Sequence, residues 1–157
     1  MKAGSNPGRW RPRLAETLAL VAAAAGDFSD DWWIIGSAAA ALAGADIAEV
    51  GDVDLLLSER DARALLARWS AAPKAPPPPS DRFRSAVFAR FEHGPLAIEA
   101  FGGFEMRVRG RWRAVEPMTR RHVGDVFTPS IAEQIVLLEA MGRDKDRPRI
   151  AALAARL

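Results

Sequence analysis

One stretch of this 157-residue chain, Trp32 to Ser58 (WWIIGSAAAALAGADIAEVGDVDLLLS), constrains the fold more than any other. Trp32–Ile35 predicts a buried strand, Gly36-Ser37 a turn, Ser37–Ala43 a short Ala-rich helix closed by Gly44, and Val53–Leu57 a second strand. Alternation along that second strand sends Asp52 and Asp54 to one face and Val53 and Leu55 to the other. Two carboxylates about 6–7 Å apart on one strand repel each other, so folding alone does not favour them. A divalent cation between them removes the repulsion, and hard cations such as Mg²⁺ prefer carboxylate oxygens. Upstream, Gly36-Ser37 opens a helix whose free N–H groups and dipole suit a phosphate, and Gly36 permits close backbone approach. The alternative for Ser37 is a plain helix N-cap beside a turn glycine. The acid pair downstream favours the phosphate.

A hydrophobic strand, Gly36-Ser37 and Asp52-Val53-Asp54, in that order on strand, turn, helix and strand, resembles the DNA polymerase beta-like nucleotidyltransferase superfamily. The resemblance runs roughly from Trp32 to Leu153 and looks closest to the small bacterial nucleotidyltransferases, a group with toxin, abortive-infection and antibiotic-modifying members. It implies Mg²⁺ or Mn²⁺ held by acids, and a third carboxylate on a neighbouring strand that draws the proton from the attacking hydroxyl. Glu99, in Leu96-Ala97-Ile98-Glu99-Ala100-Phe101, resembles that third acid. An acid in so apolar a strand is unfavourable unless paired or metal-bound, and the alternative is an edge-strand glutamate in solvent. Glu92 and Glu105 stand in weaker contexts. Arg143-Asp144-Lys145-Asp146 resembles the Arg-x-Lys-Asp stretch of the same enzymes, which makes Lys145 a phosphate ligand, against a solvated charged turn. The chain departs from the pattern at Arg149, where an acid is common, and at Glu49-Val50, where a basic or hydroxyl residue often sits.

Composition excludes other chemistries. With no cysteine, disulfides, thiolate catalysis and zinc–sulfur sites are ruled out, and the histidines, His93 and His122, have no adjacent Ser–Asp set. Net charge is +2 although the pI is 9.6, because no Cys or Tyr titrates between neutrality and the Lys/Arg range. Basic charge is concentrated: six arginines fall between Arg107 and Arg121, with Glu116 the one acid there. No apolar run approaches the ~20 residues of a membrane span. The basic Lys2–Arg13 and apolar Leu18–Ala25 superficially match a secretory signal, but Glu16 and Thr17 interrupt the run. Leu14, Leu18, Val21 and Ala25 instead predict one face of an amphipathic helix and a cytoplasmic protein.

Along the chain, residues 1–9 are expected to be disordered and Pro12–Ala25 helical. Ser58 and Asp61 resemble a capping box for a helix Glu59–Ser70, and Pro73–Ser80 reads as a polyproline spacer. Strands are predicted at Arg84–Phe91, after a turn at His93-Gly94-Pro95 at Leu96–Phe101, and after a Gly102-Gly103 turn at Phe104–Val108 and Trp112–Val115. The last two form a hairpin around Arg109-Gly110-Arg111. A three-residue loop would set Val108 opposite Trp112 and Arg107 opposite Arg113, with Arg109 and Arg111 at the tip, a like-charge arrangement that an anion or solvent would relieve. Ser130 and Glu133 start a helix of Ile131, Ile135, Leu138 and Met141 that Gly142 stops, and Pro148–Leu157 forms a last helix.

The expected fold is α/β: one domain over residues 1–157, a mixed twisted sheet with helices mainly on one face and a C-terminal helical pair. The function this implies is transfer of a nucleoside monophosphate from an NTP, with ATP the expected donor, to a hydroxyl acceptor of tRNA, protein or small molecule. Asp52, Asp54 and Glu99 would hold the metal, and Gly36, Ser37 and Lys145 the phosphates. Arg107, Arg109, Arg111 and Arg113 would meet an anion or the acceptor. Rival readings are a non-catalytic nucleotide sensor or partner-binding module on the same fold, and an RNA-binding protein using the arginine hairpin.

Overall fold

A computed structural model of the chain describes residues 7–70 and 80–157. The elements are α1 (Pro7–Ala25), β1 (Trp33–Ile35), α2 (Gly36–Leu42), β2 (Asp52–Leu57), α3 (Glu59–Arg68), β3 (Phe83–Phe91), β4 (Ala97–Val108), β5 (Arg111–Ala114), β6 (Arg121–Val123), β7 (Val126–Thr128), α4 (Ile131–Met141) and α5 (Arg147–Ala154), with a single 3-10 turn at Asp144–Asp146 before α5. The polyproline spacer lies outside the described residues except for Ser80. Of the segment expected to be disordered, residues 7–9 are already helical, so α1 starts five residues before the predicted Pro12 and carries that proline inside it.

The main sheet is mixed, in the order β1-β2-β4-β3. β1 runs antiparallel to β2, β2 parallel to β4, and β3 antiparallel to β4. β5 pairs with the far end of β4, along Glu105–Val108. The odd–even pattern is strict in the centre: Val53 and Leu55 are 0% exposed, and so is Ile98, while Ala100 and Phe91 are 1% exposed. Burying a Leu, Ile or Phe side chain in this way stabilises the fold by ~1.5–3 kcal/mol each. α3 covers this face so closely that a Cβ on Gly102 would lie 2.5 Å from Ala62 Cβ. α1 joins through Trp10, Leu14, Leu18, Val21 and Ala24. Its buried Thr17 donates to Arg13 O at 2.8 Å and accepts from Leu96 N at 3.1 Å, tying the helix to the start of β4.

Gly102-Gly103 is not a turn: β4 runs unbroken for 12 residues through it. Both glycines serve packing. Gly102 admits α3, and Gly103, at φ +64°, breaks the alternation of the strand. Phe101 and Phe104 would otherwise point to opposite faces, but their ring centroids are 5.5 Å apart.

The hairpin register also differs from expectation by one residue. Val108 pairs with Arg111 and Arg107 with Trp112, around a two-residue Arg109-Gly110 turn with φ +51° and +77°. Arg107 and Arg113 therefore do not face each other, and the like-charge argument lapses. Arg84 lies 4.3 Å over the Trp112 ring.

Both predicted capping boxes form by half. Ser58 Oγ accepts from Asp61 N, and Ser130 Oγ accepts from Glu133 N, each at 3.2 Å. The acids, however, reach to distant loops. Buried Asp61 accepts from Ser29 N and Asp30 N at 2.8 and 2.9 Å. Glu133 accepts from Met118 N and Thr119 N at 2.7 and 2.8 Å. α4 ends as predicted on Gly142 in the left-handed conformation, where Arg82 donates to Met141 O. The β6–β7 hairpin was not anticipated, since three-residue strands are too short to show a period. It packs beside β1, where Phe127 meets Trp32, the residue just before that strand, ring edge to face at 5.5 Å.

Among the described residues no helix is long and apolar enough to cross a membrane.

Candidate metal and nucleotide site

Parallel pairing of β2 with β4 sets the site. Its register places Asp54 opposite Glu99 and Asp52 opposite Ala97, so the three carboxylates share one face of adjacent strands. One carboxylate oxygen from each of Asp52, Asp54 and Glu99 lies within 4.8 Å of the other two. All three side chains are partly exposed, while their strand neighbours Val53 and Ile98 are buried on the other face.

Crowding of charge is visible in the protonation equilibria. Asp54 is pushed up to about 7, first by burial and then by the charges of Asp52 and Glu99, with Arg143 and Arg149 pulling the other way. Glu99 is raised as well, by burial and by Asp52, against the pull of Arg90. Such a set suits a hard divalent cation, which would replace the mutual repulsion by attraction.

The start of α2 closes over Asp54. Gly36 has φ +72°, and a Cβ there would lie 2.9 Å from Asp54 Oδ2, so both conformation and space require glycine. Ile35, not Ser37, occupies the cap position of α2 and offers no capping side chain. Ser37 falls in the first turn of the helix, and its hydroxyl makes no side-chain hydrogen bond among the described residues. The N-cap alternative for Ser37 is thereby set aside.

Two features were missed in the sequence. Arg90 on β3 sits against the acids, with Nη1 2.6 Å from Glu99 Oε1 and 4.0 Å from Asp52 Oδ2. Its register opposite Glu99 was the available signal, but that register depends on where two long strands begin. Near the C-terminus, fully buried Asp146 is gripped by Arg143 at 2.7 Å and Arg149 at 2.8 Å. Arg149, which looked like a departure from an acidic position, is thus one arm of a partly buried ion network centred on Asp146, and its charge reaches Asp54. Lys145 is exposed on the intervening 3-10 turn.

Arg107, Arg109, Arg111 and Arg113 are exposed at the far end of β4 and on β5. Arg107 is eight residues along the strand from Glu99, roughly 26 Å at a strand's rise. They do not join the acids in one site.

No family model matches the sequence, and no curated protein matches it. Among solved structures the chain is similar to a candidate nucleotidyltransferase from Thermotoga maritima, at TM-score 0.74 over 94% of this chain and 96% of that one. The fold is a nucleotidyltransferase fold. Identity in that comparison is 18%, so the likeness speaks for the backbone, and the chemistry rests on the residues above.

Proposed function

We propose that this protein is a nucleotidyltransferase that moves a nucleoside monophosphate from an NTP, with ATP the donor, onto a hydroxyl acceptor and releases pyrophosphate. One observation carries the reading: Asp54 and Glu99 as register partners, with Asp52 completing a carboxylate cluster inside 4.8 Å. Paired catalytic metals stand ~3.5–4 Å apart, a spacing such a cluster can bridge. Asp52, Asp54 and Glu99 would hold Mg²⁺ or Mn²⁺. When bound, the cation offsets triphosphate charge and favours the ionised acceptor oxygen.

The chain's own residues take the remaining roles. Gly36 exposes its backbone beside Asp54, and Ser37 offers a free hydroxyl, so this turn would seat the terminal phosphates. Arg143 borders the same space and Lys145 lies close by in sequence; both would meet phosphate oxygens. Glu99 would accept the proton of the attacking hydroxyl, a task for which a raised carboxylate is suited. As the new oxygen–phosphorus bond forms at the α-phosphate, the bond to pyrophosphate breaks. Arg90 would hold Glu99 in orientation before substrate arrives.

The domain in this reading spans the 157 residues, works in the cytoplasm and takes a tRNA, protein or small-molecule acceptor. A non-catalytic sensor on the same fold would bind NTP without turnover. The test is pyrophosphate release from NTP in the presence of candidate acceptors. Release that needs Mg²⁺ and disappears in Asp54→Asn supports the proposal; equal release by the variant contradicts it.

A further inference from the structure

Beside Asp54 the site opens into a cavity of about 150 Å³. Its walls are aromatic and aliphatic, with Phe83, Phe101 and Phe104 on the sheet side and Leu137, Leu138 and Met141 on α4. Polar residues meet it at few points: Gly36, Asp54 and Arg143, and farther along α4, Gln134. An apolar cavity of this size accommodates a six-membered ring, which in a purine is the ring that carries the exocyclic amino group and lies farther from the sugar.

Gln134 is 5% exposed, and its Nε2 donates to Pro129 O at 2.9 Å. A carbonyl oxygen only accepts, so that bond fixes which end of the amide is nitrogen. Oε1 is left with no hydrogen-bond partner among the described residues. It is not sealed inside the packing either, since the one fully enclosed, unpartnered side-chain atom among them is Trp10 Nε1. An unpaired acceptor on an otherwise apolar wall is unfavourable until a donor reaches it.

Which substrate the cavity serves follows from what borders it. Gly36 and Arg143, the proposed phosphate contacts, line it; Glu99, the group assigned to the acceptor hydroxyl, does not. The cavity therefore lies on the side of the donor nucleotide.

We infer that this cavity seats the nucleobase of the donor, and that Gln134 Oε1 accepts a hydrogen bond from an exocyclic amino group, selecting adenine or cytosine over uracil. The inference rests on the nucleotidyl-transfer reading and deepens it. Phe101 and Phe104 give the base apolar ring surface, which every base can use, so discrimination falls to Gln134. Uracil presents a carbonyl oxygen where cytosine presents the amino group, and that oxygen would meet Oε1 acceptor to acceptor.

The test is calorimetric binding to the full chain with Mg²⁺. The ligands are the α,β-methylene analogues of ATP and UTP, purine riboside triphosphate (which lacks the amino group) and inorganic tripolyphosphate. The ATP analogue should bind about tenfold more tightly than either the UTP analogue or purine riboside triphosphate. Gln134→Leu should abolish that preference and leave tripolyphosphate affinity unchanged. Leu138→Phe, which fills the cavity, should weaken all three nucleotides and spare tripolyphosphate; it carries the test if Gln134→Leu does not fold. Normal tripolyphosphate binding with no base preference, or with a preference for UTP, overturns this inference and leaves nucleotidyl transfer standing. Absence of Mg²⁺-dependent tripolyphosphate binding overturns both.

Discussion

Asp54 on β2 and Glu99 on β4 are direct neighbours across a parallel strand pair, with Asp52 two residues back on the same face. Parallel strands hold their register along their whole length, so the acids cannot separate without loss of backbone hydrogen bonds on both strands. The repulsion is built into the sheet.

A consequence is a stability that falls as pH rises. Asp54 is raised from 3.8 to about 7, so the folded protein binds its proton more tightly than the unfolded chain does. The penalty is absent below pH ~4, grows through the interval up to about 7, and reaches on the order of 4 kcal/mol above it. Urea titrations between pH 4 and 8 should show this decline. Asp54→Asn should flatten it and be more stable than the parent near pH 7.5. A parent protein that gains stability across that interval would contradict the account.

On the proposed reading a divalent cation should reverse the penalty, because binding the folded site would stabilise it by mass action, by ~2.7 kcal/mol at a hundredfold excess over Kd. Thermal melts at neutral pH should rise with Mg²⁺ for the parent and stay flat for Asp54→Asn. A variant that still responds would place the metal elsewhere.

Arg90 holds Glu99 at 2.6 Å, so in the proposed reading it would compete with the cation for that carboxylate. Its removal eliminates a positive charge beside the carboxylates and an ion pair from the cation-free protein. Arg90→Ala should therefore melt lower without Mg²⁺ and bind Mg²⁺ several-fold more tightly, the direction Coulomb's law requires. Equal or weaker Mg²⁺ affinity would mean that the orientation Arg90 gives Glu99 outweighs its charge in cation binding.

Asp146 anchors Arg143 and Arg149 from a fully buried position. Asp146→Ala strands two cations near the interior and should destabilise the fold by ~3–5 kcal/mol, measured by denaturant unfolding. A loss below ~1 kcal/mol would mean that water already satisfies these arginines.

Much of this was legible because it depends on local pattern. Asp52-Val53-Asp54 announced its own alternation, Ser58 and Ser130 their helix starts, Gly142 a helix end. What was hidden depends on packing between distant segments. Gly102-Gly103 reads as a turn unless one knows that α3 presses on it, with Ala62 Cβ only 2.5 Å from where a side chain on Gly102 would begin. The hairpin register hinged on whether Arg109 would adopt a left-handed conformation, which arginine seldom does. Arg149 looked anomalous until Asp146 was found buried beneath it. Sequence periodicity does not reveal which side chain fills the space behind another.

Transfer itself is tested most directly by the fate of the α-phosphate. ATP labelled at the α-position and, in parallel, at the γ-position is incubated with the protein, Mg²⁺ and tRNA, protein or aminoglycoside acceptors. The α-label should become attached to an acceptor, the γ-label should leave as pyrophosphate, and both outcomes should vanish with Asp54→Asn or without Mg²⁺. Label attached from the γ-position, or α-label attached equally by Asp54→Asn, would contradict nucleotidyl transfer at this site.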